Sequence, residues 1–221
     1  AAYAYAYSDA YGISAHGAVS NSGDVTAMAT GGTAEPNGLA TYDTAAIAHA
    51  TAIGISGGSV DNNHAVNVSA RGGTAATNGA TSVGAEAFGI RSTGTVNNSG
   101  MVAVSATGGT ADANDHVGVH GDAPFTANAY AEAWGLNGLN VNNSRSLMVL
   151  AAGGSANAND LADAQSYARG IWVGGDVTNA GAIFIMAMGG TATAVDANAG
   201  AEAYGIWAGG NVSNSQSVTA N

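Results

Sequence analysis

One pattern of residues recurs six times along this chain of 221 residues. It reads Ala-x-Gly-Ile, then Val-x-Asn, then Val-x-Ala/Val-x-Ala, and five copies continue into Gly-Gly-Thr/Ser-Ala. The Gly-Ile or Gly-Leu pair that marks each copy begins at residues 12, 54, 89, 135, 170 and 205, so successive copies lie 42, 35, 46, 35 and 35 residues apart. A period near 35 residues, with insertions at one phase, indicates stacked supersecondary units.

Within each copy the apolar residues alternate with polar or small ones, as residues 177–179 and 183–187 show. This period of two is typical of β-strands, and glycine interrupts every run long enough for a helix. We therefore predict an all-β fold, a parallel β-solenoid (β-helix) of about six coils with loop insertions at one phase. Coils rising about 4.8 Å each would give a stack about 30 Å tall.

Residues 1–221 are expected to form a single solenoid array. The sequence starts and stops partway through the repeat. It is therefore interpreted as a segment of a longer repetitive chain or as a protomer that joins others end to end.

Stacking in register turns equivalent positions into columns. Alanine or serine occupies the positions two and four residues before each marker glycine, which predicts an internal seam where sheets approach closely. Two columns of larger side chains are predicted to form the core: Val19, Val60, Val96, Val141, Val177 and Val212, and then Val25, Val66, Val102, Leu147, Ile183 and Val218.

An asparagine stands two residues after the first valine of every copy. These residues are Asn21, Asn62, Asn98, Asn143, Asn179 and Asn214. A ligand-binding row is one interpretation. The favoured one is a structural ladder, in which each side-chain amide bonds to the coils above and below, or a row of left-handed turn residues.

The composition excludes several classes of function. The chain has no lysine, and its four arginines face fifteen acidic residues, for a net charge of −11. Binding to nucleic acid or to an anionic membrane surface requires clustered cations, so both partners are excluded. No apolar stretch approaches the length of about 20 residues that a membrane-spanning helix needs. With no cysteine, disulfides and thiolate metal sites are also excluded.

One insertion, between residues 110 and 134, carries the candidate metal ligands. These are Asp112, Asp115, His116, His120 and Asp122. Carboxylates in a loop would favour Ca²⁺, but on an extended strand the two histidines would lie about 13 Å apart, too far to share one ion. The alternative is a solvated polar loop, and no other cofactor is expected.

Two further columns bear on activity. Acidic residues three positions before the marker glycine (Asp9, Glu86, Glu132, Glu202) repeat with the coil, whereas a catalytic pair should occur once, so no catalytic residue and no enzyme activity are predicted. A column of threonine or serine follows the Gly-Gly pairs at residues 33, 74, 110, 155 and 191. It suggests an ice-binding face, but no second threonine column runs beside it.

Aromatic residues cluster in two places. Tyr3, Tyr5 and Tyr7 alternate with alanine in the first strand, and a second group lies near the marker glycines: Tyr130, Trp134, Trp172, Tyr204 and Trp207. They are interpreted either as aromatic ladders that cover a sheet or as a protein contact surface.

The array resembles the repeat regions of bacterial surface proteins with autotransporter-type β-solenoid passengers. The resemblance lies in the strand at residues 87–90, the Val-x-Asn-Ser-Gly corner at 96–100 and the strand at 102–106. It specifies a type of repeat, and it implies an extracellular or cell-surface location in bacteria and a role as a non-catalytic stalk, adhesin or fibre.

These observations predict an extracellular structural protein that builds a fibre, stalk or surface layer by end-to-end stacking. The residues predicted to meet at the junction are Tyr3, Tyr5, Tyr7, Val218 and Asn221, with the end formed by residues 214–221 stacking on residues 1–13 of the next unit. An alternative is an adhesin passenger whose loops bind a host, a glycan or a neighbouring cell. A third is an ice-binding or polysaccharide-degrading β-helix.

Overall fold

The computed structural model describes residues 2–36, 44–113 and 125–221. Within these ranges the chain forms strands joined by bends and irregular segments, and no helix. Accordingly, no helix in the described ranges is long and apolar enough to cross a membrane. The predicted parallel β-solenoid of about six coils is confirmed.

The strands form four parallel sheets. Each of the six coils adds one strand to the first three sheets, and the first five coils also add one strand to the fourth. The long sheet contains β1 (Ala2–Ser14), β5 (Thr44–Gly57), β9 (Ala80–Ser92), β13 (Thr126–Gly138), β17 (Leu161–Val173) and β21 (Asp196–Ala208). The second sheet contains β2 (Ala18–Asn21), β6 (Ser59–Asn62), β10 (Thr95–Asn98), β14 (Asn140–Asn143), β18 (Val177–Asn179) and β22 (Val212–Asn214). The third sheet contains β3 (Val25–Thr30), β7 (Val66–Arg71), β11 (Val102–Thr107), β15 (Leu147–Ala152), β19 (Ile183–Met188) and β23 (Val218–Ala220). The fourth sheet contains β4 (Thr33–Ala34), β8 (Thr74–Ala76), β12 (Thr110–Ala113), β16 (Ser155–Ala158) and β20 (Thr191–Thr193).

Equivalent residues of neighbouring coils pair directly. Ile90 of β9 pairs with Leu136 of β13, which pairs in turn with Ile171 of β17. Val96 pairs with Val141 in the second sheet in the same way. The repeat therefore generates the columns expected from the sequence, one coil for each copy.

The interior is divided into two cores along the long strands. The second half of each long strand packs on the second and third sheets through valine, isoleucine and leucine columns. The first half packs on the fourth sheet through a core made almost entirely of alanine, in which Val83 is the largest buried side chain. Alanine lets the two sheets approach closely, and the predicted internal seam of small residues is buried in the interior coils.

The marker glycine lies where the two cores meet. Both Gly89 and Ile90 are buried, so the alternation of inward and outward residues shifts by one position there. A Cβ atom at Gly89 would lie 2.6 Å from the carbonyl oxygen of Gly135 and 2.7 Å from Cγ1 of Val102. Only glycine therefore fits between the neighbouring coil and the opposing sheet.

The connections between the fourth sheet and the next long strand vary in length. They comprise residues 77–79, 159–160 and 194–195 in three copies, and residues 35–43 and 114–125 in the other two. The insertions thus occur at a single phase of the coil. Residues 37–43 and 114–124 lie outside the described ranges.

Candidate assembly interface

The six asparagines of the predicted ladder form a continuous hydrogen-bonded row through the interior. Nδ2 of each asparagine donates to Oδ1 of the asparagine in the next coil, at 2.7 Å in all five steps. Its second proton goes to the backbone carbonyl oxygen two residues later, at 2.5–2.7 Å. Each interior amide is therefore satisfied although it is buried.

The row has a direction, and its two ends are chemically different. Nδ2 of Asn214 donates to the carbonyl oxygen of Gln216, and its second proton has no acceptor in the described ranges. At the other end, Oδ1 of Asn21 accepts one hydrogen bond within the described ranges, from the backbone N–H of Gly23 at 3.4 Å. No asparagine amide in those ranges donates to it. One end of the solenoid offers a donor, and the opposite end offers an acceptor.

The last coil leaves its core columns open to solvent. Val212 is 51% exposed and Val218 is 39% exposed, whereas the equivalent residues of the preceding coil, Val177 and Ile183, are each 1% exposed. In the first coil the same columns are buried: Val19 is 8% exposed and Val25 is 6% exposed. The two valine columns are therefore exposed at one end only.

The sheet order determines which residues could meet if the solenoid continued in register. Strands β1 and β21 form opposite edges of the long sheet, and β2 with β22 and β3 with β23 form opposite edges of the next two. A second copy would therefore place residues 196–208 against residues 3–15, Asn214 against Asn21 and Val218 against Val25. The sequence analysis expected residues 214–221 to stack on residues 1–13. The sheet order indicates other neighbours, because each strand would continue its own sheet.

The three tyrosines of the first strand lie on the outer face of the long sheet. Tyr3, Tyr5 and Tyr7 are 58%, 57% and 62% exposed, and their rings stack in a row with centroids 6.4 and 6.1 Å apart. The intervening Ala4 and Ala6 face the alanine core. The tyrosines therefore border the edge at which another coil would add, while Asn221 is exposed beside β23 at the opposite end.

The second aromatic group forms a strip on the same outer face. Trp172 and Trp207 stack with centroids 4.5 Å apart. The Arg169 guanidinium lies 4.2 Å from the ring centroid of Trp134 and forms a 3.7 Å ion pair with Glu132. Tyr204 donates a 2.6 Å hydrogen bond to Glu202, which raises the pKa of Tyr204.

A polar cluster spans three coils of the long sheet. The hydroxyl of Tyr130 lies 2.9 Å from Nε2 of His49, and the same nitrogen lies 3.6 Å from Oε1 of Glu86. The polar contact with His49 lowers the pKa of Glu86, aided by the charges of His49 and Arg91 and opposed by burial. Burial, together with the neighbouring carboxylates, raises the pKa of Tyr130 to about 12.

The candidate metal ligands fall almost entirely outside the described residues. Asp112 lies on β12, whereas Asp115, His116, His120 and Asp122 belong to residues 114–124. Within the described ranges, no group of three or more histidine, cysteine or acidic side chains could hold a metal ion.

The acidic and threonine columns lie on separate outer faces. Glu86 and Glu132 pair in register on the long sheet, and Tyr167 and Glu202 continue their column. The threonine and serine column lies on the exposed face of the fourth sheet, where Thr74, Thr110 and Ser155 pair in register.

Two features were missed by reasoning from the sequence. One is a second, exposed polar row on the second sheet, in which Asn142 donates to Asn97 at 2.8 Å and Asn97 donates to Asp61 at 2.7 Å. The other is the contact of Tyr130 with His49, which are 81 residues apart. The sequence signal for this contact was Gly84, because four of the five other residues in its column are larger than glycine.

Neither the family models nor the curated proteins nor the solved structures contain a significant match to this chain.

Proposed function

We propose that this chain is a non-catalytic extracellular structural protein whose solenoids stack head to tail into a fibre, stalk or surface layer. The observation that carries the proposal is the polarity of the asparagine row, with an unused donor at Asn214 and an available acceptor at Asn21. Because the two ends are different surfaces, their contact is heterologous, and repeated contacts of that kind build open filaments.

The apolar columns support the same arrangement. A second copy in register would cover Val212 with Val19 and Val218 with Val25, the residue types that pair inside the solenoid. It would also pair the open edges of β21, β22 and β23, whose backbone groups would otherwise remain templates for nonspecific strand addition.

One contact at the junction opposes assembly. Glu202 and Asp9 occupy the same column of the long sheet, so their carboxylates would lie in neighbouring strands. Like charges directly opposite each other destabilise strand pairing, and salt screens that repulsion. Assembly should therefore strengthen as the salt concentration rises, and Glu202→Gln should reduce this dependence.

The proposal is tested by sedimentation velocity and electron microscopy of the purified chain over a range of concentrations. We expect filaments one solenoid wide, and we expect Val218→Asp to abolish them because it places an unpaired carboxylate in the apolar junction. Met148→Asp is the matched control, since Met148 is 42% exposed on the outer face of the third sheet in an interior coil, away from both ends.

Two results would overturn the proposal. The first is a wild-type chain that stays monomeric at every concentration and salt condition. The second is a Val218→Asp chain that assembles as well as Met148→Asp while both variants retain the wild-type thermal melt.

A further inference from the structure

On the outer face of the long sheet, a glycine makes room for a tyrosine from the following coil. His49, Gly84 and Tyr130 occupy one column in three successive coils. A Cβ atom at Gly84 would lie 2.4 Å from Cζ of Tyr130 and 2.5 Å from Cδ2 of His49. The Tyr130 ring therefore leans back over Gly84, and its hydroxyl reaches His49 two coils away at 2.9 Å.

The same column contains a second glycine with the same arrangement before it. Gln165 and Gly200 follow Tyr130 in the next two coils. A Cβ atom at Gly200 would meet only the Gln165 side chain, at 3.9 Å, so the space over this glycine is open. In the first group a polar residue, a glycine and a tyrosine follow one another in successive coils. In the second group Gln165 takes the position of the histidine and Gly200 that of the glycine, and no residue of a further coil covers Gly200.

The residue that an added copy would bring to this place is Tyr7. Tyr7 pairs with His49 in the column, so it is the first member of the same column in the next solenoid. It is 62% exposed, and its hydroxyl has no hydrogen-bond partner in the described ranges.

We infer that the open slot over Gly200 receives Tyr7 of a second copy of this chain. The Tyr7 hydroxyl then accepts a hydrogen bond from Nε2 of Gln165, whose other proton is donated to Asp163 at 3.1 Å. This inference rests on the proposed head-to-tail assembly and specifies its register. Tyr3 and Tyr5 would face Asp196 and Asn198, which offer no such slot.

The register is tested by disulfide trapping, which suits a chain without native cysteine. In register, residues 200 and 7 of adjacent copies lie about 4.8 Å apart between Cα atoms, within the range that a disulfide bridges. Gly200→Cys mixed with Tyr7→Cys should therefore form a dimer under mild oxidation. Gly200→Cys mixed with Tyr5→Cys is the control, because that diagonal is about 8 Å and too long.

The slot itself is tested by substitutions whose effect on association is measured by sedimentation. Tyr7→Phe removes one hydrogen bond and should weaken association about fivefold, whereas Tyr5→Phe should leave it unchanged. Gly200→Val fills the slot and should weaken association about tenfold or more. Its thermal melt should match the wild type, because only the Gln165 side chain lies within 4 Å of a Cβ atom at Gly200.

The outcomes separate this inference from the proposed function. A wild-type chain that assembles, but in which Tyr7→Phe behaves like Tyr5→Phe or the 200–7 pair does not cross-link, overturns the slot and leaves the fibre intact. A wild-type chain that remains monomeric overturns both.

Discussion

The side-chain amide of Asn98 donates a 2.7 Å hydrogen bond to Oδ1 of Asn143, a residue 45 positions later in the chain. Asn98 also accepts a 2.7 Å bond from Asn62 and donates a 2.6 Å bond to the carbonyl oxygen of Gly100. One buried side chain thus connects three coils. Because every coil repeats this connection in the same direction, the row gives the solenoid a donor end and an acceptor end.

Loss of the Asn98 side chain should destabilise the solenoid strongly. Asn98→Ala leaves the Nδ2 proton of Asn62 and Oδ1 of Asn143 without their partners, at a cost of about 1–3 kcal/mol for each buried group. Asn97→Ala is the matched control, because Asn97 points outward in an exposed row and should cost about 1 kcal/mol or less. Equal shifts of the thermal melting temperature for the two variants would contradict the structural role of the inner row.

A methyl group at the marker glycine should also destabilise the fold. Gly89→Ala places a Cβ atom 2.6 Å from a backbone oxygen of the neighbouring coil, and overpacking of this kind costs about 1–3 kcal/mol. Gly23→Ala is the control, since no heavy atom lies within 4 Å of a Cβ there. Chemical denaturation should therefore show a lower midpoint for Gly89→Ala alone.

Tyr130 should make the fold sensitive to alkaline conditions. Burial raises the pKa of Tyr130 from 10.0 to about 12, so the folded state holds its proton more tightly than the unfolded chain does. The resulting stability is complete below about pH 10 and is lost as the pH rises toward 12. Tyr130→Phe lacks this contribution, so it should melt below the wild type at about pH 8. The difference in melting temperature should shrink as the pH rises to about 11. Tyr5→Phe, at an exposed tyrosine, should show no such convergence.

Glu86 should act in the opposite direction, at acidic pH. The polar contact with His49 lowers the pKa of Glu86 below its ordinary value of 4.5, so the ionised carboxylate stabilises the folded state above that value. This stability is lost as the pH falls through the lowered pKa. The difference in melting temperature between wild type and Glu86→Gln should shrink from about pH 7 to about pH 3. The exposed Glu35 provides the control as Glu35→Gln, and a difference that stays constant for Glu86→Gln would rule out the linkage.

The repeat itself made most of the architecture predictable. Alternation with period two, glycine at fixed phases and a recurrence near 35 residues are local features, and each corresponds to a strand, a corner or a complete coil. The columns of Val, Ala and Asn follow directly, because parallel strands in register place equivalent positions side by side. The sequence alone therefore predicts that Val96 pairs with Val141 and Asn98 with Asn143.

The tertiary structure decided what the repeat leaves open. The division of each long strand between an aliphatic core and an alanine core depends on the shift at Gly89, where space against Val102 and Gly135 determines which residues point inward. The reach of Tyr130 over Gly84 to His49 depends on how far a side chain leans along the stack. Gly84 signals in the sequence that there is space in this column, but not which side chain fills it. The two ends also differ in their valine columns: Val25 of the first coil is 6% exposed, whereas Val218 of the last coil is 39% exposed. The sequence determined the coil and its columns, and three-dimensional packing decided that the valine columns are exposed to solvent at Val212 and Val218 and buried at Val19 and Val25.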